Sequence, residues 1–308
     1  MRPAVYIPNF NGAERIGRAL RSLREQTRPV DAVVVDNGSG DGSLELLHDE
    51  FPEVSVLALG RNLGFGPALN RAVAEHRADP IILLNDDAEA APRFAEALLD
   101  AAAEGVQAVA GVMLQERAPE LIDSAGVVAD RTLMGFDYLH GEPLSAAAGA
   151  AEPLGPTGGA ALYDRGAFEA VGGFDERIFL YYEDLDLALR MAAAGGRCRL
   201  APDATALHAY SASLGAGSGR KYERTGWSRG YMLRRYGVMS EPRLALRALA
   251  CEGALCAGQL VMDRTAKGIG GRLRGWREGA GLPRRDADGA PLLGITARQA
   301  LELRRGRR

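Results

Sequence analysis

The chain has 308 residues, 47% hydrophobic and 25% charged, ordinary for a soluble globular protein and enough for one large α/β domain or a domain with an appendage. A net charge of −3 gives no global reason to expect nucleic acid as a partner. The charge is uneven, however: residues 241–308 carry fourteen Arg/Lys against seven Asp/Glu, so this end is +7 and the first 240 residues are −10. An acidic body suits a metal-dependent site, and a basic end suits an anionic surface.

Three cysteines, Cys198, Cys251 and Cys256, form an odd, sparse set without metal-ligand spacing. Reduced thiols and a cytoplasmic setting are expected. Met1-Arg2-Pro3 runs straight into a strand-like segment, so no signal peptide is expected. The nearest approach to a membrane span, Leu244 to Met262, is interrupted by Arg247 and Glu252.

In chain order, Ala4-Val5-Tyr6-Ile7 reads as a buried strand ending in the turn-rich Pro8-Asn9-Phe10-Asn11-Gly12. Ile16, Ala19, Leu20 and Leu23 recur at helical spacing. Ala32 to Val35 is a second strand, followed by Asp36-Asn37-Gly38-Ser39-Gly40-Asp41-Gly42-Ser43 and a helix through Leu44, Leu46 and Leu47 that Asp41 or Ser43 can cap. Val54 to Leu59 is a third strand. The loop Arg61-Asn62-Leu63-Gly64-Phe65-Gly66 leads into a helix from Pro67. Ile81 to Leu84 is a fourth strand, unbroken in its apolar character, and it runs into Asn85-Asp86-Asp87. Strand–helix alternation with short loops implies a mainly parallel sheet with helices on both faces. Ligands of such sheets sit at the carboxyl ends of the strands, where all four polar loops fall.

An Ala-rich helix is expected over 92–104 and an apolar segment over 106–114. From 115 to 156 the pattern weakens, and an insertion or mobile flap is expected there. Order resumes at Thr157-Gly158-Gly159, with a short helix from Asp164 to the Gly172-Gly173 pair. The cluster Tyr181-Tyr182-Glu183-Asp184-Leu185-Asp186 opens a helix ending at Gly195-Gly196. Arg197 to Leu200 is a strand candidate, and His208 lies beyond it.

Residue chemistry leaves two readings at each cluster. Asp86 and Asp87 can cap the following helix or hold a hard cation on a diphosphate. Asp36 can close a plain turn or accept hydrogen bonds from a base or ribose. Glu183 and Asp184 can complement a helix dipole or supply a general base. Asp87 with His208 makes a metal pair suited to Mn²⁺ or Mg²⁺. There is no Walker loop and no dinucleotide fingerprint after the first strand.

Taken together, Val5 to Gly12, Val33 to Ser43, Arg61 to Gly66 with Asn70, and Leu83 to Asp87 resemble family 2 glycosyltransferases of the GT-A fold. Gly158-Gly159-Ala160, Gly172-Gly173-Phe174-Asp175-Glu176, Tyr182 to Leu187 with Arg190, and His208 are similar to acceptor-side motifs of its rhamnosyltransferase-like branch. The resemblance covers residues 3–210. It implies an α/β GT-A domain over 1–215, with a nucleotide-sugar half (1–114) and an acceptor half (157–215), followed by a helical, basic C-terminal region (216–308). It also implies inverting transfer from a nucleoside-diphosphate sugar, deoxythymidine-diphosphate rhamnose being the best single choice, to a glycan or lipid-linked acceptor. Pro8, Asn9, Asn11, Asp36, Asn37, Ser39, Arg61, Asn62, Asn70, Asn85 and Asp86 would line the nucleotide-sugar site. Asp87 and His208 would bind the metal, with Asn85 replacing the usual first Asp. Asp184 would be the base, with Glu183 orienting it or the acceptor, and Gly158, Gly159, Tyr182 and Asp186 would lie on the acceptor side.

A nucleotidyltransferase on the same fold would need a Lys/Arg-bearing triphosphate loop, which Pro8 to Gly12 does not supply. A non-catalytic binding module would be expected to lack Asp87 or Asp184. For the basic end, a solvated helical appendage and a peripheral contact with the inner face of the plasma membrane are both open readings, as is a homo-oligomer.

Overall fold

A computed structural model describes residues 3–209 and 218–305. The expected domain boundary at 215/216 and the terminal Arg307 and Arg308 lie outside the described residues. The first half alternates as the sequence implies: β1 (Ala4–Asn9), α1 (Ala13–Arg24), β2 (Asp31–Asp36), α2 (Ser43–Glu50), β3 (Ser55–Ala58), α3 (Phe65–Glu75) and β4 (Ile81–Leu84). These strands lie parallel in the order β3-β2-β1-β4. β1 shows why an unbroken apolar run belongs here. Val5 and Ile7 join a core with Ile16, Leu20 and Leu23 of α1, while Ala4 and Tyr6 join the opposite core with Leu69 and Val73 of α3. A strand covered on both faces has no solvent side to mark with polar residues.

Next come β5 (Ala88–Ala90), α4 (Phe94–Ala101), β6 (Ala108–Gln115), β7 (Ala118–Ser124), β8 (Val127–Ala129), β9 (Gly135–Asp137), β10 (Ala160–Tyr163), α5 (Arg165–Ala170), α6 (Glu183–Ala193) and β11 (Cys198–His208). The sheet continues β4-β10-β6-β11-β5, with β7 on β6. β10 is antiparallel to both β4 and β6, and β11 is parallel to β6 but antiparallel to β5. The sheet is therefore parallel in its first half and mixed beyond.

Three expectations change. The segment 115–156 is no loose flap: Ile122, Val127, Val128 and Phe136 are buried, and β8 and β9 form their own antiparallel pair. β11 runs to His208, eight residues past Leu200. A register shift between Leu200 and Thr205 absorbs Pro202, which has no N–H for the ladder. α3 begins at Phe65 rather than Pro67. Its first N–H donates to the Phe179 carbonyl at 2.9 Å, and a Cβ on Gly64 would stand 2.4 Å from that same oxygen. Close approach between two loops thus explains the glycine at 64.

The C-terminal region comprises α7 (Gly219–Arg235), α8 (Pro242–Met262), α9 (Lys267–Glu278) and α10 (Ala297–Arg305). α7 and α9 touch backbone to backbone: a Cβ on Gly230 would lie 2.0 Å from the Arg272 carbonyl oxygen, and one on Gly275 would lie 1.9 Å from that of Trp227. Tyr231, Met232 and Leu233 share a core with Leu185 and Leu189 of α6, so the region is docked on α6. The fully buried Arg229 donates to Glu252 of α8 at 2.5 Å and to the Leu133 carbonyl at 2.7 Å. By length and composition α8 could cross a membrane, yet Arg229 and Arg272 hold its Glu252 against the protein.

Candidate active site

The loops after β1 and β2 lock into one block. Asp36, buried at the end of β2, accepts from the Gly38 and Ser39 N–H groups at 3.2 and 3.1 Å and from Asn9 Nδ2 at 3.0 Å. Asn9 Nδ2 also reaches Ser39 Oγ at 3.1 Å, while its buried Oδ1 has no hydrogen-bond partner among the described residues. Asn11 donates its N–H to Ser39 Oγ and accepts from the Gly40 N–H, both at 2.9 Å. Pro8 sits opposite Val35 where β1 and β2 emerge together. Asp41 accepts from the N–H groups of both Ser43 and Ala13, so it ties α2 to the start of α1.

Three expected ligand residues serve as struts. Asn37 donates to the Gly64 carbonyl at 2.9 Å and accepts from the Leu63 N–H at 2.7 Å. Asn62 accepts from the Gly64 N–H. Asn70 both donates to and accepts from the Phe174 backbone at 2.9 Å. Arg61 is exposed, its backbone packed beneath Gly38.

Past β4, Asp86 turns toward α1 and meets Arg15 at 3.1 Å, a partner that sequence reading missed. Burial, then the neighbouring Asp87, raise the Asp86 carboxyl to about 6 against the pull of Arg15. Gly12 is packed beneath: a Cβ there would stand 2.4 Å from both Asn9 Oδ1 and Asp86 Oδ2.

Asp87 is placed by strand pairing. β5 and β11 pair Ala88 with His208, and the Ala209 N–H donates to the Asp87 carbonyl at 3.0 Å. This sets His208 Nε2 3.3 Å from Asp87 Oδ1. The other ring nitrogen, Nδ1, lies 2.7 Å from Asp123 Oδ2. Asp123 owes its position to a bulge: β6 pairs Met113 with Ser124 and Leu114 with Ile122, leaving Asp123 as the extra residue. Burial opposes a charge on His208, but Asp123 and Asp87 outweigh it and push the imidazole up to about 10. His140 Nδ1 lies 2.7 Å from the Asp123 carbonyl oxygen and steadies the bulge.

The donor set fits a divalent cation of the Mn²⁺ or Mg²⁺ type. Asp87 offers a carboxylate oxygen, and Asp123 can accept a hydrogen bond from Nδ1–H, so that a neutral His208 turns its Nε2 lone pair toward Asp87. No cluster of three or more such ligands occurs among the described residues. A cation here would draw its remaining ligands from substrate oxygens and water.

Glu183 and Asp184 open α6 behind two strained residues: Tyr181 and Tyr182 have φ of 71° and 73°, uncommon for aromatic side chains. Glu183 is buried with no partner at Oε2 among the described residues, and burial, then the Asp184 charge, raise its carboxyl. Asp184 is partly accessible. It accepts from the Leu185 N–H at 2.7 Å and from the Gly158 backbone, while burial, then Asp137, raise its pKa. Gly159 next door accepts from the Asn85 N–H at 3.2 Å, and a Cβ on Gly159 would press on Asn85 Nδ2 at 2.8 Å. The Gly158-Gly159 pair thus joins the Asp184 cluster to the Asn85-Asp86-Asp87 cluster.

Asp186 corrects an expectation. Instead of facing an acceptor it is fully buried, bonded to Arg190 Nε at 2.8 Å, Tyr236 Oη at 2.9 Å and Arg285. Arg285 also meets Asp175 at 2.8 Å. These groups clamp the C-terminal region onto α6.

Comparison with known proteins agrees with this geometry. The family model "Glycosyl transferase family 2" matches residues 4–172. An N-acetylglucosaminyl-diphospho-decaprenol L-rhamnosyltransferase of Mycobacterium tuberculosis is 32% identical over 231 residues, covering 67% of this chain and 75% of its own. Among solved structures, a mannosyltransferase from Pyrobaculum calidifontis in complex with GDP-Man and Mn²⁺ superposes with a TM-score of 0.54 at 19% identity, over 90% of this chain and 86% of its own. GalNAc-T7 with UDP, GalNAc and Mn²⁺ gives 0.63 at 15% identity, over 92% of this chain and 55% of its own. These likenesses establish the GT-A architecture. With the family model spanning more than half of the chain, and a relative matched over two thirds of it, the protein belongs to glycosyl transferase family 2.

Proposed function

We propose that the protein is an inverting glycosyltransferase that moves a sugar, rhamnose being best supported, from a nucleoside-diphosphate donor to a hydroxyl of a lipid-linked glycan acceptor. The observation that carries this reading is the Gly158-Gly159 junction. It ties a carboxylate of raised pKa, Asp184, to the Asn85-Asp86-Asp87 loop after β4, whose Asp87 meets His208 at the end of β11. In this reading, proton chemistry lies on one side of the junction and diphosphate binding on the other. The M. tuberculosis relative, named for rhamnosyl transfer to a decaprenyl diphosphate-linked sugar, supports the donor and acceptor classes. Two structural neighbours, each in complex with Mn²⁺, support a divalent cation.

In this scheme the block formed by Asn9, Asn11, Asp36 and Ser39 holds the nucleoside. Asp87 and His208 hold a Mn²⁺ or Mg²⁺ ion, which when bound supplies positive charge toward the departing diphosphate. Asp184 takes the proton from the acceptor hydroxyl as its oxygen forms the new bond to the anomeric carbon and the bond to the diphosphate oxygen breaks. A single displacement inverts that carbon. Glu183, kept largely neutral by burial and by Asp184, leaves its neighbour as the charged member of the pair.

The test is release of nucleoside diphosphate from a panel of activated sugars with Mn²⁺ or Mg²⁺. Turnover with a deoxythymidine-diphosphate sugar is expected. In Asp184→Asn it should fall about 10²- to 10⁴-fold with donor binding retained. Binding without turnover on any donor would point instead to a non-catalytic module.

A further inference from the structure

α8 presents an apolar stripe that nothing in the described fold covers. Leu246, Leu249, Leu260, Val261 and Met262 are exposed, Leu246 by 72% and Val261 by 79%. The other exposed positions between Leu246 and Met262 are alanine or glycine, and none is charged or polar. The stripe runs about 25 Å at 1.5 Å per residue. Arg243 stands exposed at one end, and Arg264 and Lys267 at the other.

We infer that this stripe rests on the surface of an anionic lipid bilayer, with α8 lying in the membrane plane. Three observations favour that occupant. First, the stripe offers no hydrogen-bonding side chain to fix register against a folded partner, and a fluid apolar layer needs none. Second, charge favours an anionic surface, because the exposed cations Arg243, Arg264 and Lys267 flank the stripe at its two ends. Third, the opposite side of α8 is committed to the protein. Glu252 bonds Arg229 and Arg272 at 2.5 and 2.6 Å, and Arg247 bonds Asp130 at 2.8 Å, so the helix lies along a membrane rather than across it.

The surface sits close to the transfer chemistry. Cys251 of α8 shares a buried cluster with Phe136 of β9, and the next residue, Asp137, is near enough to influence Asp184. A membrane held at α8 would keep a lipid-linked hydroxyl near the acceptor half. For that purpose the inference rests on the lipid-linked acceptor reading, although bilayer binding itself requires no turnover.

The experiment is flotation of the full chain with vesicles of phosphatidylcholine containing phosphatidylglycerol, without donor or acceptor, beside size-exclusion chromatography. Wild type should float. The double variant Leu249→Gln/Val261→Gln should bind at least tenfold more weakly at unchanged Tm. Leu246→Trp, which enlarges the stripe, should bind more tightly, and binding should weaken at high salt. Wild type that does not float, or a double variant that floats equally well, overturns the inference. So does a wild-type dimer that the double variant dissolves, since the stripe would then be a contact between copies. Because no sugar transfer is read, failure here leaves the Asp184→Asn test of the enzymatic reading untouched.

Discussion

Replacing Asp123 by Asn tests the metal reading at a residue that touches neither donor nor acceptor in the proposed scheme. Asp123 Oδ2 lies 2.7 Å from His208 Nδ1, and the opposite ring nitrogen lies 3.3 Å from Asp87 Oδ1. A carboxylate can only accept, so with it in place a neutral His208 carries its proton on Nδ1 and offers the Nε2 lone pair to a cation. An asparagine of the same shape can present its NH₂ instead, which favours the other tautomer and turns an N–H toward the cation. Outer carboxylates on metal-bound histidines are worth about 10–100-fold in metal affinity, or about 1.4–2.7 kcal/mol. Asp123→Asn should therefore weaken Mn²⁺ binding by that factor, read by calorimetric titration in the presence of nucleoside diphosphate, with Tm in chelator near wild type. The activity loss should be partly recovered at high Mn²⁺. Unchanged Mn²⁺ affinity in a folded Asp123→Asn protein would refute the assignment of His208 as a ligand.

Three further outcomes follow from the same geometry. Asp184, raised to about 6, must be ionised to accept a proton, so kcat should fall about tenfold per pH unit below that value; a rate flat down to pH 4.5 would remove Asp184 as the base. Glu183 is raised from 4.5 to about 8 by burial, then by Asp184, so its favourable contribution is whole below pH 4.5 and is lost as pH rises through 8. Glu183→Gln should accordingly gain stability relative to wild type between pH 5 and 9, by on the order of a few kcal/mol in urea titrations, and a constant difference across that range would contradict the assignment. In Gly275→Ala the added Cβ would meet the Trp227 carbonyl oxygen at 1.9 Å, a backbone atom that can yield only if α7 and α9 separate; overpacking of this kind costs about 1–3 kcal/mol, measurable as a lowered urea midpoint.

Much of the first half, β1 to β4, was legible because its signals are local. Buried parallel strands need apolar side chains on both faces, so Val5, Val34 and Ile82 stand in runs that reading along the chain detects. The polar loops after them are equally local, and so is the acidic start of α6 at Glu183 and Asp184. The pairing of Asp87 with His208 was also anticipated, from their ligand chemistry and again through the family resemblance. Strand periodicity offered no measure of it, because the two residues meet only through the antiparallel contact of β5 with β11.

What remained illegible depends on contacts distant in sequence. Asp123 lies in a stretch expected to be an insertion or mobile flap, and nothing there marks the bulge that aims it at His208, 85 residues away. Asp186 carries the same carboxylate as Asp184 two positions earlier, yet α6 turns it into the core, where Arg285 meets it across 99 residues. Asn37 and Asn70 resemble ligand residues until the backbone groups they brace are seen.

The sequence by itself determined the alternating α/β order, the polar strand ends and the pairing of an acidic body with a basic end, because each follows from side-chain character along a few consecutive residues. Only the tertiary structure decided which carboxylates gather around His208 and which hold helices together, and which face of α8 is left bare among the described residues. Those outcomes depend on strand register and helix docking, where one extra residue in β7 or a rotation along α6 decides where a carboxylate ends up.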